Sequence, residues 1–266
     1  GAIGAFSTGD GISTGGQGRT PICKMPNVEH TEQDFPVLFL YRKEMTDSGG
    51  AGKFRGGLSA ESCFIPHNTE KIIHDTLSSG NATPTETGMR GGYPGATNGY
   101  RFKRSSDVLE RMADSHLVED VDDLSGEDVT LGLRQIEFLQ TASDVYAVLC
   151  SAAGGFGDPL DREPESVRAD VEQYSVTAEA AKQIYGVVLA EGAIDMAATE
   201  ALRSERRAQR KGNGSVERSD EPVVVELTEN LHLRGGNYCC AKCAAKLAQR
   251  DSNYKDGCVC EDHAVS

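Results

Sequence analysis

Five of the eight cysteines fall within one short stretch: Cys239, Cys240, Cys243, Cys258 and Cys260. Cys240-Ala-Lys-Cys243 is a CxxC pair and Cys258-Val-Cys260 a CxC pair, with 14 residues between them. A two-residue gap lets two thiolates from one turn reach the same ion, and a second pair completes the tetrahedral set that Zn2+ requires. Cys240, Cys243, Cys258 and Cys260 are therefore the expected ligands of a structural zinc. Cys239 and His263 stand in reserve, because CxC is the less common second pair. Two alternatives stay open, disulfides and an iron–sulfur or redox site, since four thiolates also suit iron. A closed four-cysteine site leaves no position for substrate, so such a metal would organise the tail rather than catalyse.

No other group of side chains shows a recognised catalytic spacing. Gly9-Asp10-Gly11 and Gly15-Gly16-Gln17-Gly18 match neither a P-loop nor a dinucleotide fingerprint and read as turns. The histidines form no HExxH or HxH pair. His67, His74 and Asp75 hold metal-ligating groups, but without a metal spacing they read as surface residues. Ser48 lacks the flanking glycine of a nucleophile elbow. Cys23, Cys63 and Cys150 are scattered and read as small apolar packing residues. Motif chemistry alone names no catalytic residue.

The elements that would carry these groups divide along the chain. The first hundred residues hold 18 of the 30 glycines, in pairs that interrupt β-type runs at Phe35–Tyr41 and Cys63–Pro66. Strands broken by Gly pairs predict an antiparallel layer. Between Asp107 and Asp128 nine carboxylates face Arg111 alone, which reads as a solvated excursion. Two more strands are expected near Ile136–Gln140 and Asp144–Cys150. Helices are expected at Pro164–Glu172, from a cap at Thr177, and over about residues 193–211 with a basic end. The polar stretch Lys211–Glu221 marks a boundary, giving a domain over residues 1–211 and a linker, strand and cysteine tail over 212–266. The expected fold class is α+β: a glycine-rich, mainly antiparallel β region, C-terminal helices and a small zinc-binding tail. A net charge of -14 argues against nucleic acid. No run approaches the length of a membrane span and no leader pattern is present, so a cytoplasmic protein is expected.

Several segments, in order, resemble the C-terminal half of hydantoinase B/oxoprolinase-family subunits. They are Val28–Val37 (VEHTEQDFPV), Asp47–Gly57 (DSGGAGKFRGG), Gly91–Ala96 (GGYPGA), Gly154–Arg162 (GGFGDPLDR), Val176–Ala181 and Tyr185–Leu189. The resemblance covers about residues 20–210. Asp47–Gly57 is its most specific part, and reads physically as a hairpin or bulge with positive φ at its glycines and with Lys53 and Arg55 projecting beside them. Those two cations would meet either a phosphorylated intermediate or a neighbouring carboxylate. The N-terminal half of the usual subunit has no counterpart here, and the cysteine tail lies outside the common pattern. With zinc-binding extensions known among acetone- and acetophenone-carboxylating systems of this family, the resemblance implies a subunit of an ATP-dependent ketone carboxylase. It implies, as partners, a hydantoinase A-like ATP-binding subunit and a chain supplying the N-terminal half. Ketone and bicarbonate would be the substrates, and ATP and a second divalent metal would sit on partner subunits. A hydantoinase- or oxoprolinase-type amidohydrolase subunit, and a non-catalytic zinc-stabilised assembly subunit, are the alternatives. No catalytic residue is carried over.

Overall fold

The computed structural model describes residues 1–14, 16–17, 20–21, 26–78, 80–211 and 217–252. They fall into two compact units, divided between Thr199 and Glu200. The fold is mixed α+β, with mainly antiparallel sheets and few helices.

In the first unit, a short helix α1 (Val28–Asp34), capped by Asn27, leads into β1 (Val37–Glu44). There follow β2 (Ala60–Pro66), β3 (Lys71–Leu77), β4 (Gly99–Arg104), α2 (Val108–Ala113), β5 (Glu127–Val129), β6 (Arg134–Thr141) and β7 (Val145–Leu149). Five of these strands form one antiparallel sheet in the order β1-β2-β7-β4-β5, while β3 and β6 pair as a separate ribbon.

Alternation along the central strands sorts side chains onto two faces. On one face Cys63, Ile65, Val145 and Ala147 pack against Val108, Val118, Val121 and Leu124. Those last four come from the acidic stretch, so it is not simply a solvated excursion. Its apolar residues close the sheet while its carboxylates turn outward or find cations. On the other face Phe64, Tyr146 and Phe102 meet Phe138 of the ribbon. His74 sits in this aromatic layer, stacked on Phe138 at 4.9 Å between centroids, with Nε2 2.6 Å from the side-chain oxygen Oε1 of Gln140. It is therefore neither a surface histidine nor part of a metal group with His67.

Burial holds His74 below its ordinary 6.5, against the hydrogen bond to Gln140. A depressed histidine means that the unfolded chain takes up its proton first as pH falls. Stability from this layer is complete above pH 6.5 and declines below it. His74→Gln is expected to flatten urea-midpoint titrations between pH 7 and 5, and an unchanged slope would remove His74 as the cause.

Beyond the sheet, α3 (Pro164–Glu172) starts with proline at its first turn, and Thr177 caps α4 (Ala178–Gln183) through its hydroxyl to Ala180 N at 3.1 Å. Both helix starts were legible as such. Val167, Val176, Ala181, Tyr185 and Val187 form their core against Ala51. A two-residue hairpin, β8 (Leu189–Ala190) with β9 (Ala193–Ile194), precedes α5 (Met196–Lys211). The expected helix thus begins three residues late, because Ala193 and Ile194 pair as strand.

The second unit contains a four-stranded antiparallel meander: β10 (Val223–Thr228), β11 (Leu231–Arg234), β12 (Asn237–Cys240) and β13 (Lys246–Gln249). Among the described residues no helix is long and apolar enough to cross a membrane.

Candidate functional site

Four glycine-bearing segments of the first unit are laid against one another: residues 3–12, 48–58, 86–96 and 152–158. Backbone hydrogen bonds knit them. Phe54 and Phe156 exchange both N–H···O bonds at 3.0 and 2.9 Å, Gly50 N donates to Ala153 O at 2.8 Å, and Tyr93 N donates to Ala51 O at 2.7 Å. Gly11 N donates to Arg55 O at 2.7 Å. The glycines of Asp47–Gly57 do not have positive φ, contrary to the bulge reading; Asp47 itself does, at 61°. Their role is close approach. A Cβ on Gly50, Gly56 or Gly155 would overlap the carbonyl oxygens of Tyr93, Ala153 and Ala51 respectively. Only bare backbone lets these strand-like segments pack at that separation.

This backbone stack brings two motif arginines together. Arg55 and Arg162 are both buried and share the carboxylate of Asp170, itself buried on α3. Arg162 reaches Asp10 with both terminal nitrogens at 2.6 and 2.7 Å, Asp170 with Nε and Nη2 at 3.1 and 2.8 Å, and the Lys53 carbonyl at 3.2 Å. Those contacts engage all five N–H donors of a guanidinium. Arg55 holds the second Asp170 oxygen at 3.3–3.4 Å and the Gly56 carbonyl at 2.9 Å, while its backbone N–H donates to Asp10 at 2.7 Å. Burial pushes the Asp10 carboxyl up, but the Arg162 hydrogen bonds and charge, with Arg55, bring it below 3.8. Two cations and two anions balance, which is the condition for burying them. Arg55 therefore takes the carboxylate option, and does not project from the surface.

Lys53, by contrast, is exposed, with Nζ over the Phe54 ring at 5.6 Å. It edges a cleft of about 190 Å³ whose lining includes Asp10, Phe54, Arg162, Glu163 and Ser166. With Arg162 saturated, Lys53 is the cation at this cleft left to meet an anion.

Two further clusters hold reactive side-chain types, and neither is poised for chemistry. Glu61, fully buried, accepts from Tyr41 Oη at 3.0 Å and Arg101 Nη1 at 3.3 Å, and Asp120 closes the set on Lys43 and Arg101 at 2.6 and 3.0 Å. Ala147 lies between Cys63 and Arg101 in the sheet register, and its small side chain leaves Arg101 room to cross to Glu61. Burial pushes the neighbouring Cys63 thiol up to about 12, which keeps it protonated and inert. Asp120 is held at about 2: burial opposes ionisation, and the Asp122 N–H, Lys43 and Arg101 override it. In an apolar pocket of about 260 Å³ beside Met45 and Leu149, the Ser48 hydroxyl donates to Met45 O at 2.5 Å and accepts from Ser59 N at 2.9 Å. Ser59 is committed to the Cys150 carbonyl. Cys150 is half-buried at this pocket, and Cys23 lies outside the described residues.

Of the expected zinc ligands, Cys240 ends β12 and Cys243 follows in the turn, with Ala244 N donating back to Cys240 O at 2.9 Å. Cys240 is half-buried and Cys243 exposed. Cys258, Cys260 and His263 lie outside the described residues, and among those described no three potential ligands converge. The zinc part of the fold expectation thus has no support from the described structure. Cys239, held in reserve as a ligand, is buried within β12.

Residues 1–159 match the hydantoinase B/oxoprolinase family. This chain belongs to that family. Within it, the chain is 32% identical to the acetone carboxylase alpha subunit of Xanthobacter autotrophicus, over 78% of this chain and 29% of that subunit. It is 29% identical to the acetophenone carboxylase delta subunit of Aromatoleum aromaticum, over 79% of this chain and 32% of that subunit. A nucleotide-free acetone carboxylase structure superposes with a TM-score of 0.68 at 29% identity, covering 79% of this chain and 30% of the other. The ATP-dependent caprolactamase of Pseudomonas jessenii superposes with a TM-score of 0.57 at 26% identity, covering 76% and 32%. The chain therefore spans about a third of the length of these hydantoinase B relatives. The match begins at residue 1, earlier than the motifs suggested, which fits the structural part played by Asp10.

Proposed function

We propose that this chain is a subunit of an ATP-dependent ketone carboxylase complex that joins a ketone to bicarbonate. The observation that supports this best is the likeness to two ketone carboxylase subunits over nearly four fifths of the chain. A hydantoinase A-like subunit would bind ATP, and another hydantoinase B-type segment would complete the subunit. In this reading the locked arginines hold the glycine layers in register, and Lys53 meets the phosphorylated species at its cleft. A second reading, ATP-dependent amide hydrolysis, is supported by 31% identity over 67% of this chain to the caprolactamase beta subunit of Pseudomonas jessenii.

The assembled complex separates the two. Acetone or acetophenone with bicarbonate is expected to stimulate ATP hydrolysis and to carry bicarbonate label into a carboxylated product. Stimulation by a lactam or hydantoin without bicarbonate would replace the carboxylase with the amidohydrolase.

Zinc held by Cys240, Cys243, Cys258 and Cys260 completes the proposal, on the strength of the CxxC and CxC spacing alone. Cys240→Ser with Cys258→Ser is expected to lower bound zinc by at least tenfold in elemental analysis and to weaken complex assembly. Unchanged zinc content would rule this ligand set out.

A further inference from the structure

Four strands of the central sheet end together: the register pairs Glu44 of β1 with Ala60 of β2, and Leu149 of β7 with both Glu61 of β2 and Gly99 of β4. The residues just beyond these ends, 45–48, 59, 96–97 and 150, close with Leu149 around the pocket of about 260 Å³. Backbone hydrogen bonds fix its walls: Met45 N donates to Ser59 O at 2.9 Å, Ala96 N to Ser48 O at 2.9 Å, and Cys150 N to Ala60 O at 3.0 Å. The pocket is therefore formed without a ligand, and its volume lies just under the roughly 300–1,000 Å³ of sites for drug-sized molecules. The DSGGAGKFRGG and GGYPGA motifs both contribute to it, through Asp47, Ser48 and Ala96.

Most polar side chains of the wall are spent on the protein itself. Thr46 Oγ1 donates to Tyr174 O at 2.7 Å, Asp47 Oδ1 accepts from Thr177 N at 2.8 Å, Ser48 Oγ sits between Met45 O and Ser59 N, and Ser59 Oγ donates to Cys150 O. What faces the pocket is therefore mainly carbon, with Met45, Ala96 and Leu149 as its apolar surfaces. The Thr97 hydroxyl and the Cys150 thiol have no hydrogen-bond partner among the described residues, which leaves donors for an acceptor atom. Among the described residues no Lys, Arg or His lines the pocket, and its charged residue is Asp47. Bicarbonate or a phosphoryl group would lose hydration there and meet a like charge. Such anions are left to the Lys53 cleft, which shares no lining residue with this pocket. We propose that the pocket binds the small uncharged carbonyl compound on which the complex acts, its oxygen accepting from Thr97 and its carbons lying against Met45, Ala96 and Leu149. This rests on the enzymatic reading above, holds for a ketone and a lactam alike, and goes beyond that reading by placing the organic substrate on this chain.

Cys150 reports on the site directly. Iodoacetamide labelling of the purified full chain, read by peptide mass spectrometry, is expected to slow at Cys150 by about threefold or more with acetone, acetophenone or caprolactam present. Labelling of the exposed Cys243 should not change, and bicarbonate or phosphate should protect neither. In the assembled complex Ala96→Leu, which fills the pocket, is expected to raise the substrate concentration that half-stimulates ATP hydrolysis by about tenfold. Thr97→Val keeps the volume and removes the donor, and is expected to raise it by about fivefold, the worth of one hydrogen bond. It remains informative if the leucine variant does not fold. A Cys150 that iodoacetamide cannot reach, protection by none of the three carbonyl compounds, protection by bicarbonate or phosphate instead, or a folded Thr97→Val complex with unchanged half-stimulation would each overturn the proposal. Protection of Cys150 with no substrate stimulating ATP hydrolysis would remove the enzymatic reading and leave the pocket standing.

Discussion

Arg162→Met is expected to destabilise the first unit by about 3–5 kcal/mol, because it leaves two carboxylates facing each other with one cation between them. Arg162 is 2% exposed, and Asp170 is 5% exposed, so water cannot replace the lost donors on that side. Asp10 would lose a bidentate partner and keep only the Arg55 N–H. Removing both charges is expected to be milder than removing one: Arg162→Met with Asp170→Asn leaves Arg55 and Asp10 to balance, and a double-mutant cycle should show coupling of at least about 1 kcal/mol. Arg162→Lys is expected to fall close to Met, since an ammonium has three donors where the network uses five. Urea melts of these three variants and of Asp170→Asn alone decide the matter; Arg162→Met within about 0.5 kcal/mol of the parent would mean that the network contributes no net stability.

The same network sets an acid limit. Asp10 is held below 3.8, so its folded-state advantage is complete above that value and is lost as pH falls through the lower folded value. Loss from His74 starts higher, below 6.5. Stability is therefore expected to fall with pH over two separate windows, and Arg162→Met should flatten the lower one while leaving the upper one in place.

What the sequence disclosed depended on whether the signal was local. Pro164 at a helix start and Thr177 as a cap are one-turn signals, and both helices lie where those residues point. The β3 strand was missed because Ile72 and Ile73 are adjacent and His74, Asp75 and Thr76 follow, so its sequence shows no apolar alternation. Acidic side chains between Asp107 and Asp128 hid Val108, Val118, Val121 and Leu124, whose burial depends on a sheet formed by distant strands. Asp10 and Asp170 were passed over for a similar reason. Each is an ordinary turn or helix residue until the fold brings Arg55 and Arg162 within reach, and a separation of 152 positions between Asp10 and Arg162 leaves no local trace. The cysteine tail had the clearest spacing in the sequence, and the zinc expected from it goes untested because Cys258 and Cys260 lie outside the described residues.

The glycine motifs show the limit of sequence reading most sharply, and they carry the second large prediction. Gly56→Ala is expected to destabilise by about 3 kcal/mol or more, at or beyond the upper end of ordinary overpacking. The obstacle is backbone: its methyl would overlap the Ala153 carbonyl and meet Gly154 beyond it, and both belong to a segment held by hydrogen bonds to Gly50, Gly57 and Ala5. No rotamer change relieves such a clash, so the two layers must separate and the Phe54–Phe156 pairing must loosen. Gly9→Ala is the matched control, since a Cβ there meets nothing within 4 Å and the turn should tolerate it within about 0.5 kcal/mol. If positive φ were the reason for these glycines, Gly56→Asn would recover part of the loss, because asparagine enters that region readily. If close approach is the reason, asparagine must do worse than alanine, because it adds atoms where none fit. Thermal melts ordering the variants as Gly56, then Ala, then Asn are expected from the structure, and the reverse order of the last two would restore the turn reading.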